Sequence, residues 1–386
     1  MGERKTRNCG LLLKTINIIA FDVPYPANYG GVIDVFYKIK CFHEKGIKIH
    51  LHCYEYGRGE QAELNNYCET VTYYKRKTGI GSQISTLPYI VKSRTSSELK
   101  NNLLKNDFPI LFEGLHCCFL LNDKAFKGRF KIVRNHNIEH NYYDQLAHVE
   151  KNIIKRKYFT IEAKKLKEFE PIIENANLCL TVSNSDLNYF QKKYPDNKFI
   201  HIPCFHSNNS VQIKSGKGNY VLYHGNLSIP ENIHAAKFII KKIFDNSNIS
   251  LKIAGLNPPK DLINLIENSP NIELIQNPSD EKMINLITNA QINLLYTNQA
   301  TGLKLKLLNV LYNGRHCVVN SKMATETSLI DICLIEDNPN QLKKLIKTTF
   351  STKISEKELE KRKAILLRDY SNENGFQKII QSLQSF

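Results

Sequence analysis

Residues 219–256 read NYVLYHGNLSIPENIHAAKFIIKKIFDNSNISLKIAGL. A short apolar run, VLY at 221–223, stops at a glycine. A longer stretch follows, IHAAKFIIKKIF at 233–244, whose apolar positions recur every three or four residues. A second apolar run, ISLKIAGL at 249–256, closes the segment. The first and last runs have the length and β-branched content of strands, and the middle has the period of a helix. A strand, a helix and a strand in this order join two parallel neighbours of one sheet.

Downstream the alternation continues through helix KDLINLIENS, strand NIELIQN, helix EKMINLITNA, strand INLLYTN, helix LKLKLLNVLYNG and strand HCVVNS. Upstream the same rhythm is present in TINIIAFDV, VIDVFYKIKCFHEKG, IKIHLHCYEY, FPILFEGL, FKIVRNHN and ANLCLTVS. Between the two series lies a turn-rich stretch, Pro203 to Gly218, with SNNS and SGKG. The expected fold class is therefore α/β, with two Rossmann-like doubly wound parallel-sheet domains facing across a cleft. The expected boundaries are 1–205, 206–365 and a C-terminal helix over 366–386 that packs back across the junction. A chain of 386 residues suits two domains, and 42% hydrophobic with 23% charged residues is a globular composition.

No run of about eighteen apolar residues exists to span a bilayer. The basic, then apolar N-terminus lacks a small-residue cleavage site and reads as a strand; Gly2 and Thr6 fit a short myristoylation pattern that chance also produces. The ten cysteines contain no C-x-x-C pair, and several sit in apolar runs. They read as reduced, buried thiols, so no metal and a cytoplasmic location are expected. The formal charge of +16 calls for an anionic partner: a phosphorylated small molecule, an acidic membrane face or nucleic acid. The dispersed basic residues and the lack of any recognised motif set nucleic acid aside. The segment 149–175 carries Lys151, Lys155, Arg156, Lys157, Lys164, Lys165 and Lys167, which suits either a solvated helix or contact with the anionic inner face of a membrane.

Ligands of open parallel sheets bind beyond the carboxyl ends of the strands, so the loops there carry the candidate residues. In DVPYPANYGGVIDVF, Gly30 and Gly31 open a helix, where they serve either a tight turn or close approach to an anion. In EGLHCC, Glu113 and His116 follow a strand and either face the crevice or cap the next element. In RNHNIEHNYYD, His136, Glu139 and His140 with Arg134 form a dense polar group suited to sugar hydroxyls and proton transfer. In YHGNLSIPEN, Gly225 and Asn226 stand before a helix begun by Ser228 and Pro230. In TNQATGLKLKLLNVLYNGR, Gly302 and Leu303 offer free amides at a helix start, with Lys304 and Lys306 in the first turn. Cations there oppose the helix dipole unless an anion is bound.

These pieces, in this order and over most of residues 15–340, resemble the GT-B fold glycosyltransferases, nearest to the retaining family 4 type. The resemblance rests on PYPANYGG with EKGIKIHLHCY, HNIEHNYYD, ANLCLTVSNSDLNYF, YVLYHGNLSIPEN with LKIAGLNPP, and ATGLKLKLLNVLYNGRHCVVN. It implies an enzyme that moves a sugar from a nucleoside diphosphate sugar, bound by the second domain, to a glycan or lipid-linked acceptor bound by the first. It implies that His136 holds the donor sugar, that Gly302, Leu303, Lys304 and Lys306 hold the diphosphate, and that no cofactor is needed. The family's two signature glutamates fall on Thr301 and Asn309, and its basic diphosphate ligands on Asn226 and Glu231 or a neighbour. Positive charge is thus expected to have moved to Lys304 and Lys306. The sequence lacks any D-x-D pair for a divalent ion, so metal-independent transfer is expected. The resemblance leaves two other functions open, a sugar-nucleotide epimerase of the same fold and a non-catalytic partner with a degraded donor site.

Overall fold

The computed structural model describes residues 13–298, 305–325 and 327–384. The chain divides into two compact units. One takes in the chain up to Ser207 and again from Asn372; the other is Asn208–Ser371.

The first unit is built on seven parallel strands: β1 (Thr15–Ala20), β2 (Lys48–Glu55), β3 (Thr70–Lys75), β4 (Ile110–Glu113), β5 (Lys131–Asn135), β6 (Leu178–Thr181) and β7 (Phe199–His201). Their order is β3-β2-β1-β4-β5-β6-β7. Because β1 is followed outward by β2 and β3, while β4 starts on its other side, the chain reverses direction between β1 and β4. That reversal opens a crevice at the carboxyl ends of these two strands. Ile16, Ile18 and Ile19 of β1 and Leu111 and Phe112 of β4 are all buried, as a sheet covered on both faces requires. The helix Asn372–Gln384 returns to this unit. Its Phe376 ring meets Phe42 edge to face at 5.4 Å, and Asn372 Nδ2 donates to the His206 carbonyl while its Oδ1 accepts from the His206 amide.

The second unit repeats the plan with β8 (Val221–His224), β9 (Leu251–Gly255), β10 (Ile272–Gln276), β11 (Ile292–Leu295), β12 (His316–Val319) and β13 (Leu334–Ile335), ordered β10-β9-β8-β11-β12-β13 and all parallel. The corresponding reversal lies between β8 and β11. Tight packing beside it depends on two glycines. A Cβ on Gly255 would fall 1.9 Å from the Gly225 carbonyl oxygen, and one on Gly225 would fall 3.1 Å from Asn232 Cγ. Among the described residues no helix is long and apolar enough to cross a membrane.

Candidate active site

The first unit's crevice is floored by a fully buried ionic network. The helix Gly30–Glu44 carries Asp34 and Lys38 one turn apart on its inward face, β4 ends in Glu113, and β5 carries Arg134. Lys38 Nζ lies 3.0 Å from Asp34 Oδ2 and 2.7 Å from Glu113 Oε1. Arg134 forks onto Asp34, Nε to Oδ2 at 3.0 Å and Nη2 to Oδ1 at 2.9 Å, and donates to the carbonyls of Ile202 and Pro203. The Phe205 amide adds a bond to Asp34 Oδ1. Burial alone would raise the Asp34 carboxyl, but Arg134, Lys38 and His136 hold it well below the usual carboxylate range. Asp34, Glu113 and His136 stand within reach of a common metal ion. Lys38 and Arg134 already occupy their carboxylates, so the cluster carries its own cations and does not fit a metal.

His136 is the member of this network nearest the surface. Its Nε2 is held 3.1 Å from Asp34 Oδ2 and 3.4 Å from Glu113 Oε2, and its side chain is 12% exposed. Burial opposes its protonation, and the two carboxylates more than offset that, raising its pKa. With Nε2 anchored between the two carboxylates, Nδ1 is left for a ligand. Above it, Phe21 packs against His136 and His116 at 5.5 and 5.3 Å between ring centroids. Gly114, at φ 77° and ψ 161°, turns the chain after β4 where a Cβ would strike His116 Nδ1 at 2.9 Å. His116 Nδ1 is buried without a hydrogen bond and lies 3.9 Å from Glu139 Oε1. Burial keeps His116 neutral and pushes the Glu139 carboxyl up to about 7. A buried nitrogen without a hydrogen-bond partner is costly, and a ligand hydroxyl placed between it and the Glu139 carboxyl would satisfy both.

In the second unit the carboxyl ends of β8 and β11 bring His224, Gly225 and Asn226 near Tyr296, Thr297 and Asn298. His224 is buried, its Nε2 has no hydrogen-bond partner, and burial with the nearby charge of Lys306 lowers its pKa to about 3. Lys306, in the first turn of the helix Leu305–Asn313, reaches Asn232 Oδ1 at 3.4 Å. Thr297 is fixed by Asn320, which accepts from its amide at 3.1 Å and donates to its carbonyl at 2.7 Å, and its hydroxyl bonds Glu231.

The expected site residues fall into four groups. Glu113, His116, His136 and Glu139 gather at the β1–β4 crevice, although Glu113 lies inside the wall, bound to Lys38. Gly30 opens its helix as expected. Gly31 owes its lack of a side chain to packing, since a Cβ there would come 2.6 Å from Phe21 Cζ. Gly225, Asn226, Lys306 and Asn309 belong to the second unit. Asn226 Oδ1 is engaged by the amide and hydroxyl of Ser228, and Asn309 Oδ1 by Asn208 Nδ2 at 2.8 Å. Thr301, Gly302, Leu303 and Lys304 lie outside the described residues. Arg134, read as the start of a polar loop, is instead a buried strand residue. Sequence reasoning passed over Asp34, Lys38 and His224. The signal for the first two was there: a charged pair four residues apart, on the stripe that continues to the buried Phe42.

No family model matches the sequence. A protein of Klebsiella pneumoniae, described as an uncharacterized 44.6 kDa protein in a cps region, is 27% identical over 328 residues, which is 79% of this chain and 82% of that one. Among solved structures, Anabaena Alr3699/HepE in complex with UDP and glucose is similar at TM-score 0.65 and 10% identity, over 97% of this chain and all of the other. A variant of S. aureus TarM in complex with fondaparinux, α-GlcNAc-glycerol and UDP is similar at TM-score 0.63 and 11% identity, over 96% and 99% of the two chains. An α,α-trehalose-phosphate synthase (UDP-forming) from Burkholderia xenovorans gives TM-score 0.60 at 10% identity, over 96% of this chain and 100% of the other. At such identities the likeness speaks for the architecture: two parallel-sheet domains of the GT-B fold.

Proposed function

We propose that the chain is a glycosyltransferase that takes a sugar from a nucleoside diphosphate sugar held by the second unit and passes it to a glycan or lipid-linked acceptor held by the first. The observation that carries this reading is in the second unit, at its β8–β11 reversal. There a buried histidine nitrogen without a partner stands close to Lys306, at the first turn of a helix that follows a strand end. A helix start with a cation and an unused buried nitrogen is suited to a diphosphate and the sugar or ribose attached to it. Proteins of similar fold crystallised with UDP, and in one case with UDP-glucose, support the same choice of donor.

In this reading Lys304, Lys306 and the amides of Gly302 and Leu303 stabilise the departing diphosphate, and Asn309 contacts the nucleotide. His136 donates from Nδ1 to the donor sugar, its charge sustained by Asp34 and Glu113. His116 and Glu139 hold the acceptor. Transfer proceeds with retention and without a divalent ion, the latter supported by the absence of D-x-D from the sequence. The relative in a cps region favours a polysaccharide acceptor. The test is a thermal-shift screen with UDP, GDP, dTDP and their sugar conjugates, because a ligand selective for the folded state must raise its apparent stability. One nucleotide family should raise the midpoint, and its sugar conjugate should be consumed once an acceptor is supplied. A folded protein that responds to none of them at millimolar concentration would rule the proposal out. Epimer formation without an acceptor would replace it with the epimerase.

A further inference from the structure

The loop that carries His136 runs directly into a helical hairpin, Glu139–Val149 and Ile153–Phe169. Its turn is tightly made. Asn152 Oδ1 accepts from the amides of Ile154 and Lys155, and Glu150 Oε1 accepts from the amide of Asn152. Yet its apolar side chains point outward: Val149 is 69% exposed, Ile153 71% and Ile154 80%. Single exposed apolar residues are ordinary on a protein surface, but three within one turn, none covered by the rest of the unit, are not. Around them stand Lys151, Lys155, Arg156 and Lys157, all exposed. The hairpin's ion pairs, Lys165–Glu162 and Lys164–Glu168, lie further from the tip, and the one carboxylate at the turn, Glu150, is taken up in shaping it.

We infer that this tip is a membrane anchor, with Val149, Ile153 and Ile154 entering the headgroup boundary of an anionic bilayer and the four cations resting on its phosphates. Apolar side chains ringed by lysine and arginine are the composition that binds such an interface. A second copy of the chain is a poor occupant, since two tips would bring like charges together. The placement also bears on the acceptor, and here the inference rests on the glycosyltransferase reading. The helix from Glu139 to Val149 has 11 residues and spans about 15 Å at 1.5 Å per residue. On that reading an acceptor hydroxyl at His116 and Glu139 stands roughly that far from the tip, measured along the helix.

The experiment is co-sedimentation of the full chain with phosphatidylcholine vesicles and with vesicles that also contain phosphatidylglycerol. Binding is expected to the acidic vesicles only, and to weaken with salt. Ile153→Asp with Ile154→Asp should reduce it at least tenfold. Replacing Lys151, Lys155, Arg156 and Lys157 by Gln should reduce it by about fivefold per cation at low salt. Because these side chains are exposed, both variants should melt like the parent protein. Equal binding to both vesicle types, or undiminished binding by either variant, would overturn the inference. So would a concentration-dependent dimer that the two aspartates disperse, because the tip would then be a contact between copies. Vesicle binding needs no nucleotide, so a protein that binds acidic vesicles but no nucleotide would keep the anchor and lose the transferase reading, and the reverse result would do the opposite.

Discussion

Arg134 and Asp34, exactly a hundred positions apart in sequence, meet in a two-pronged ion pair with neither side chain exposed to solvent. The pair ties the inner face of the helix Gly30–Glu44 to the centre of the sheet, and Lys38, Glu113 and His136 are arranged around it. Taking one partner from a buried pair leaves the other charge uncompensated, which typically costs about 3 to 5 kcal/mol. Asp34→Ala should therefore lower the stability of the first unit by that order, leaving Arg134 without a carboxylate and Lys38 with Glu113 alone. Asp34→Asn, which keeps volume and one acceptor, should cost less. Urea unfolding followed by fluorescence or circular dichroism is the check, and an Asp34→Ala protein as stable as the parent would show that the network is dispensable.

Gly114 makes a sharper prediction because its backbone conformation is nearly closed to other residues. At φ 77° and ψ 161° a side chain costs about 1 to 3 kcal/mol in backbone strain alone. The Cβ would also meet His116 Nδ1 at 2.9 Å. Gly114→Ala should destabilise by about 2 to 3 kcal/mol and push His116 from the wall of the crevice. Sugar transfer should then fall further than the loss of folded protein explains, while nucleotide affinity, which the proposal assigns to the second unit, stays as it was. Calorimetry and a transfer assay on the same preparation separate these effects.

How far all this could be read in advance differs between fold and site. The strands that periodicity finds are mostly interior ones, such as β1 and β8, whose faces are both covered and whose sequences are therefore continuous apolar runs. Those it passes over, β3, β7 and β13, all stand at sheet edges. TVTYYK of β3 is largely half-exposed, and β13 has only two residues, so neither carries the pattern of a buried strand. The site was legible where polar residues crowd a loop, as in HNIEHNYYD. It was not where they hide in apolar company, as Asp34 and Lys38 do within VIDVFYKIKCF. Nor could sequence show that His224 would end buried with a nitrogen unsatisfied, since this depends on what packs around it.

Glu139 predicts a pH dependence. Its folded carboxyl is pushed up to about 7 by burial, against an ordinary 4.5, with His136 and Arg94 pulling it down and Asp186 pushing it up. His116, 3.9 Å away, is kept neutral by its own burial. A carboxyl whose folded value lies above its unfolded value favours the folded state while it is protonated. Its contribution is complete below about pH 4.5 and is lost as pH rises through about 7. Glu139→Gln, which mimics the protonated form, should match the parent near pH 4.5 and exceed it by up to about 3 kcal/mol at pH 8. Parallel stability curves for the two proteins across that window would mean that Glu139 is not buried in the manner described.

Lys306 tests the donor half of the proposal. It sits in the first turn of the helix Leu305–Asn313, close enough to His224 to help depress its protonation. A cation at that end of a helix opposes the dipole by a few tenths of a kcal/mol, a penalty that a bound anion reverses. A charge-assisted bond to a phosphate contributes about 1.5 to 3 kcal/mol, so Lys306→Ala should weaken nucleoside diphosphate binding roughly ten- to a hundredfold. Lys304→Ala should do the same, and the Lys306 variant should fold normally because that half-buried side chain is not part of the core. Lys306→Arg, which keeps the charge, should recover most of the affinity and thereby separate charge from packing. Nucleoside monophosphate binding should be affected less, since fewer phosphate oxygens face the lysines. If calorimetry gives unchanged diphosphate affinity for both alanine variants, positive charge has not moved to this helix, and the site at β8 and β11 must bind its ligand through neutral groups or not at all.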